Sequence, residues 1–310
     1  MIVVLDDKLR LYSFPAHPFN SSRYDAFINA FNEYKREGKL EGIEIIKARK
    51  ASKSELLLFH TKEYIQFVKE SSSRGYGLLD YGDTPAFPGC YEAGCYVVGA
   101  VLNAVDAIFK KNQSAFVPIA GLHHAYPNSA AGFCIFNDIG IAINYSRKNY
   151  SIEKILYFDI DAHHGDGVFY SFIADPNLYI VDFHQMPLYP GTGYSYEIGE
   201  GKARGTKLNL PLPPGSTDEM FEAKLKQVED FLKDKKAELI IMQAGADSME
   251  NDGLASLALK NAHGMAASFL CGYAKKWKTN ILALGGGGYN NENVARAWMQ
   301  VIEALNLRKS

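Results

Sequence analysis

The chain has 310 residues, of which 47% are hydrophobic and 22% charged, and its formal net charge at pH 7 is -2. That length carries a large, well-buried α/β core, and the composition is ordinary for a globular enzyme. A near-neutral balance with no Lys/Arg-rich run argues against direct binding to nucleic acid or to an anionic membrane surface.

In chain order, the opening Met1-Ile-Val-Val-Leu-Asp-Asp is too short an apolar run for a signal peptide. Nowhere does a run of about 18 apolar residues suggest a membrane span, so a cytoplasmic location is expected. The first hundred residues read as largely helical. Residues 91–111 carry Gly94 and Gly99 in a long apolar pattern, which predicts a tightly packed core helix. Short runs rich in Ile, Val, Leu, Tyr and Phe then predict strands over 114–119, 154–160, 178–183, 239–243 and 280–284. Helical patterns over 138–147, 217–233, 257–276 and 291–305 fall between them. Pro213-Pro214-Gly215 punctuates one loop, and Thr217 followed by two acids starts a helix. This alternation predicts an α/β fold, a mostly parallel sheet between helical layers, with residues 1–310 forming a single domain. The cysteines Cys90, Cys95, Cys134 and Cys271 show no CxxC spacing and read as small buried hydrophobes, except that Cys134 lies inside a motif.

Polar residues cluster where the predicted strands end. His123-His124 follows the first. The segment Asp159-Ile-Asp161-Ala-His163-His164-Gly-Asp166-Gly overlaps the end of the second, and His184 ends the third. Gly245-Ala-Asp247 and Gly285-Gly-Gly-Gly288-Tyr289 follow the last two. In an open parallel sheet, sites gather at the carboxyl ends of strands, so these groups point to one site along one edge. Side-chain alternation places Asp159, Asp161 and His163 on one face while the chain stays extended. Carboxylate with imidazole suits zinc, iron or cobalt. A catalytic metal needs about three protein ligands, and Asp161, His163 and Asp247 are the candidates. Isolated His17, His60 and His263 read as surface or core residues.

These motifs, with Gly121-Leu-His123-His124-Ala, Ala131-Gly132-Phe133-Cys134-Ile-Phe-Asn137-Asp138 and Tyr189-Pro-Gly-Thr-Gly193, resemble the histone deacetylase family, including its bacterial and archaeal acetoin-utilisation branch. They run in family order over about residues 15–300. The resemblance implies the arginase-deacetylase fold and a zinc-dependent hydrolase that removes acetyl groups from protein acyl-lysine or small acylated amines. It places one zinc ion on Asp161, His163 and Asp247. It makes His123 and His124 the histidine pair beside the attacking water, with Asp159 and Asp166 as their respective carboxylate partners, and Tyr289 the transition-state tyrosine. It puts Phe133 and Tyr189 on the walls of an acyl-lysine tunnel, Gly132 on its lining, Asp83 on its rim and Arg23 in an internal channel. A structural potassium ion is also implied, although Asp182 stands where many members have a serine that contacts it, and Tyr189 replaces a more usual phenylalanine. An acetylpolyamine amidohydrolase is the nearest alternative. A non-catalytic binding module of the same fold and a ureohydrolase are the others, the latter disfavoured by the absence of a second Asp-x-Asp after residue 245.

Overall fold

The computed structural model describes residues 1–307. Eight parallel strands, β1 (Ile2–Val4), β2 (Glu44–Ile46), β3 (Ala115–Val117), β4 (Ile155–Asp159), β5 (Leu178–Gln185), β6 (Lys207–Leu212), β7 (Leu239–Gln243) and β8 (Ile281–Leu284), form one sheet in the order β2-β1-β3-β8-β7-β4-β5-β6. Every residue of β4, β5, β7 and β8 is buried, so both faces of the central sheet are covered.

The helices are α1 (Ser22–Arg36), α2 (Lys53–Leu56), α3 (Lys62–Arg74), α4 (Cys90–Lys111), α5 (Asp138–Tyr150), α6 (Asp166–Ser171), α7 (Asp218–Leu232), α8 (Ala262–Trp277) and α9 (Asn291–Leu307). One packed series runs α1, α9, α8, α7, and another joins α3, α4 and α5. Helix α4 is long and apolar enough by composition to cross a membrane, yet it is mostly buried and packs against β1, β3 and α5. Its close packing is what Gly99 permits: a Cβ there would fall 1.9 Å from the Arg49 carbonyl oxygen.

Three strands went unread in the sequence pattern. β1 and β2 have three residues each, too few to establish a period, and lie in the segment expected to be helical. β6 contains Lys207 and Asn209, both buried. The Lys207 ammonium donates to the carbonyls of Asp175 and Leu178 at 2.8 and 2.5 Å, which offsets its desolvation. Helix α8 begins at Ala262 rather than at 257, because the Asp218 carboxylate accepts the N–H groups of Lys260 and Asn261 and holds the preceding loop.

Candidate active site

The carboxyl ends of β3, β4, β7 and β8 meet at one edge. From the β4 exit come Asp161 and His163, and from the β7 exit Asp247. One ligand atom of each lies within 4.8 Å of the others, and all three residues are buried. His163 Nδ1 stands 3.1 Å from both Asp161 Oδ1 and Asp247 Oδ2. The remaining oxygens are held by the protein. Asp161 Oδ2 accepts from Gln243 Nε2 at 2.7 Å and Gly287 N at 2.9 Å, and Asp247 Oδ1 accepts from Ala162 N at 2.9 Å. Burial and the neighbouring Asp161 push the Asp247 carboxyl up to about 7. Asp161 resists the same burial and is held well below the usual range by His123 and His163. Two buried carboxylates thus compete for one imidazole, and a divalent cation would satisfy both. Two carboxylate oxygens and one imidazole nitrogen fit a metal that keeps a further position open.

Beside this cluster His123 and His124 face each other, Nε2 to Nε2, at 3.1 Å. His123 Nδ1 lies 2.7 Å from Asp159 Oδ2, an oxygen that also accepts the Tyr157 hydroxyl. His124 Nδ1 lies 2.6 Å from Asp166 Oδ1, and the other Asp166 oxygen accepts from Tyr126 Oη at 3.0 Å. Burial alone lowers both imidazoles. At His123 the charges of Asp159 and Asp161 overcome it and push the group up to about 10. At His124 burial and the adjacent His123 prevail, and the group stays lowered. The two imidazoles are therefore shifted in opposite directions. Asp138 at the start of α5 fixes the loop that carries it, accepting from Gly121 N and Leu122 N at 2.8 Å each.

Tyr289 follows the glycine run after β8. Its N–H donates to Asp252 Oδ2 at 2.7 Å, and its ring stands edge-on to Phe19 and Phe133. Burial, then Asp247 and Asp161, hold its hydroxyl well above the usual range, so it keeps its proton. Arg23 lies beneath the run, donating to the carbonyls of Gly288 and Gly286 at 2.6 Å each, with its guanidinium 4.0 Å from the Phe19 ring centroid. A cavity of about 220 Å³ leads down to these groups. Asp83, Leu188, Leu254, Gly132, Phe133 and Tyr189 line it together with the buried His124 and His163 and the half-buried Tyr289, while Tyr189 is 45% exposed at its surface.

The structure brings together the residues named from the motifs except His164, His184 and Asp182, which form a neighbouring buried group centred on Asp182. Its Oδ2 accepts from Gly165 N at 3.0 Å and its Oδ1 lies 2.8 Å from His184 Nδ1. Each oxygen has one protein partner, and a carboxylate keeps further lone pairs for a hard cation. His60 and His263 are buried, the first accepting from Asn137 N and the second bonded to the Gly245 carbonyl. His17 stands edge-on to Phe133 at 4.3 Å between centroids. Cys134 is buried, with its thiol directed to the Gly132 carbonyl. Gln243, Tyr157 and Tyr126 were not singled out in the sequence. Only Gln243 carried a signal, as a polar residue closing an apolar strand.

Two imidazoles, each backed by a carboxylate, beside a cluster that fits a cation at the carboxyl edge of a parallel sheet, are the equipment of a hydrolytic enzyme built on an α/β fold. Residues 17–305 match the histone deacetylase domain family, and the chain belongs to it. It is 36% identical to the acetoin utilization protein AcuC of Bacillus subtilis (strain 168), the alignment covering 92% of this chain and 76% of that protein. It is 34% identical to a probable deacetylase of Archaeoglobus fulgidus, over 94% of this chain and 81% of the relative. Human histone deacetylase 1 is 34% identical over 91% of this chain but only 59% of its own length. The crystal structure of the HDA15 HD domain superposes with a TM-score of 0.87 at 24% identity, covering 99% of this chain and 89% of that one, which shows the shared arginase-deacetylase fold. The chain is a deacetylase, a hydrolase that removes acetyl groups from acyl-lysine or similar acylated amines.

Proposed function

We propose that this deacetylase is zinc-dependent, that residues 1–310 form one catalytic domain, and that the cavity above His163 is its acyl-lysine slot. Zinc held by Asp161, His163 and Asp247 would polarise the acyl carbonyl and acidify the attacking water. The observation that carries the reading is geometric: two imidazoles, each held by its own carboxylate, face each other at 3.1 Å beside the Asp161, His163 and Asp247 cluster. His124, its ring oriented by Asp166, takes the proton of the water. His123, kept charged by Asp159, stabilises the developing negative charge and holds a proton for the leaving amine. Tyr289 donates a hydrogen bond to the carbonyl oxygen as it becomes an oxyanion. Phe133 and Tyr189 flank the extended side chain, Gly132 leaves room beside His124, and Asp83 accepts from the substrate backbone. Substrates are acetylated protein lysine or small acylated amines. No disulfide joins the cysteines of the described residues, which suits a reducing compartment such as the cytoplasm.

The test is a hydrolysis panel of acetyl-lysine peptides, acetylated small diamines and longer acyl-lysines, with and without chelator. Acetate release that disappears on chelation and returns with zinc is expected. Full activity in metal-free protein, or none on any acylated amine, refutes the reading.

A further inference from the structure

Phe133 holds a backbone φ of +67°, a conformation that bulky residues seldom adopt. Gly132 before it is also left-handed, at +53°, and a Cβ there would lie 2.3 Å from the His124 ring. The turn that carries this wall of the slot therefore passes directly against one of the imidazoles, and its position matters to both.

Two hydroxyls from distant segments hold that turn. Thr84 Oγ1 accepts the Phe133 N–H at 3.0 Å. The Tyr12 hydroxyl donates to the Phe133 carbonyl at 2.7 Å and accepts from Ile135 N at 2.9 Å. Thr84 is 0% exposed and Tyr12 1%, so water does not compete for either bond. A threonine hydroxyl has one proton to give. Since Thr84 Oγ1 accepts from Phe133, its own proton is free for Asp83 Oδ1, 3.4 Å away, while its N–H donates to Asp80 Oδ1 at 3.1 Å. An unbroken chain of hydrogen bonds thus runs from the rim carboxylate through Thr84 to the peptide of the wall residue, and on through Tyr12 to Ile135.

We propose that Thr84 and Tyr12 are positioning residues that fix Phe133 and thereby the width of the acyl slot, and that Thr84 ties this wall to the rim carboxylate Asp83. The proposal rests on the reading of the cavity as the acyl-lysine slot. Neither hydroxyl touches the reacting atoms. Their loss loosens the strained turn and blunts binding of an extended side chain, while the groups that carry the chemistry keep their partners.

Thr84→Val keeps the shape and removes the hydroxyl, Thr84→Ser restores it, and Tyr12→Phe removes the other anchor. Thr84→Val and Tyr12→Phe should each raise KM for an acetyl-lysine peptide by about fivefold and weaken a linker-bearing hydroxamate by the same factor, the scale of one net hydrogen bond. Turnover should stay within about twofold, because the loss is of binding common to ground and transition states. Thr84→Ser should recover the parental KM. Amide hydrogen exchange at Phe133 should accelerate in Thr84→Val and revert in Thr84→Ser. Equal damage from Ser and Val would assign the effect to the lost methyl or to general packing and overturn the proposal. So would a Phe133 amide that exchanges no faster in Thr84→Val, or a KM and hydroxamate affinity that do not move. The exchange experiment needs no turnover, so it judges the clamp even if the parent protein hydrolyses no acylated amine, an outcome that would refute the slot reading separately. Should Thr84→Val not fold, Tyr12→Phe carries the same comparison.

Discussion

Replacing Tyr289 with Phe removes a single hydroxyl and little else. The ring contacts to Phe19 and Phe133 are retained, and the backbone bond to Asp252 does not involve the side chain. Burial and the carboxylates of Asp247 and Asp161 hold the phenol well above its usual range, so it is a proton donor throughout any practical assay range. A donor aimed at a forming oxyanion stabilises the transition state more than the substrate, so its loss falls on turnover rather than on KM. The expected cost is about 100- to 1,000-fold in kcat, or roughly 2.7–4 kcal/mol, the scale for one oxyanion donor in a water-poor site. KM for an acetyl-lysine peptide should change by less than about threefold. Steady-state kinetics of the zinc-loaded variant, with metal content measured alongside, make the check. If Tyr289 is only a packing residue, Phe is nearly neutral. An unchanged kcat at full metal occupancy refutes the proposed role.

His124→Ala should lower kcat by at least about 100-fold while keeping its metal, whereas Asp247→Ala should lose both, since it removes one of three ligands. Metal analysis of the two purified variants separates these outcomes, and loss of metal from His124→Ala would reverse the assignments. Stability should fall on mild acidification, because burial holds His60 down at about 3 and His263 at about 4. Above the unfolded value of about 6.5 neither state binds these protons, and stability is full. As pH falls from there towards 4, the unfolded chain takes them up and the fold does not. That costs on the order of 1.4 kcal/mol per pH unit for each histidine. Urea midpoints at pH 7 and pH 5 should differ accordingly, with a smaller difference in His263→Gln, and equal midpoints would contradict the burial argument.

The central strands were legible because they are buried on both faces and therefore continuously apolar. β7 falls at 239–243, as the pattern predicts, and β3, β4, β5 and β8 differ only at their ends. What escaped was structure made by distant partners. Lys207 belongs in a strand only because the carbonyls of Asp175 and Leu178 are there to receive its ammonium. The start of α8 depends on Asp218, more than forty residues earlier. The groups that back the site follow the same rule. Tyr126 serves Asp166, and Thr84 and Tyr12 serve Phe133, each across a separation that a local pattern does not record, whereas Tyr157 backs Asp159 from two residues away.

The acidic cluster after β4 shows where a periodicity argument holds and where it stops. Alternation along a strand puts Asp159, Asp161 and His163 on one face, and Asp161 and His163 do converge. Asp159 does not join them, because β4 ends at that residue. Beyond it the chain bends. The N–H of Asp161 turns back to Asp159 Oδ1 at 2.9 Å, and that of Ala162 reaches across to Asp247. These two bonds separate the acids into two jobs. Asp159 faces His123 and raises its pKa, while Asp161 faces His163 and Asp247 in a triad that fits a cation. A straight strand would have crowded the carboxylates of Asp159 and Asp161 onto one surface, at a cost that like charges in a buried setting make high. Ending the strand at Asp159 divides that charge between the Asp161, His163 and Asp247 cluster and His123, and so shifts His123 and His124 in opposite directions at the floor of the cavity.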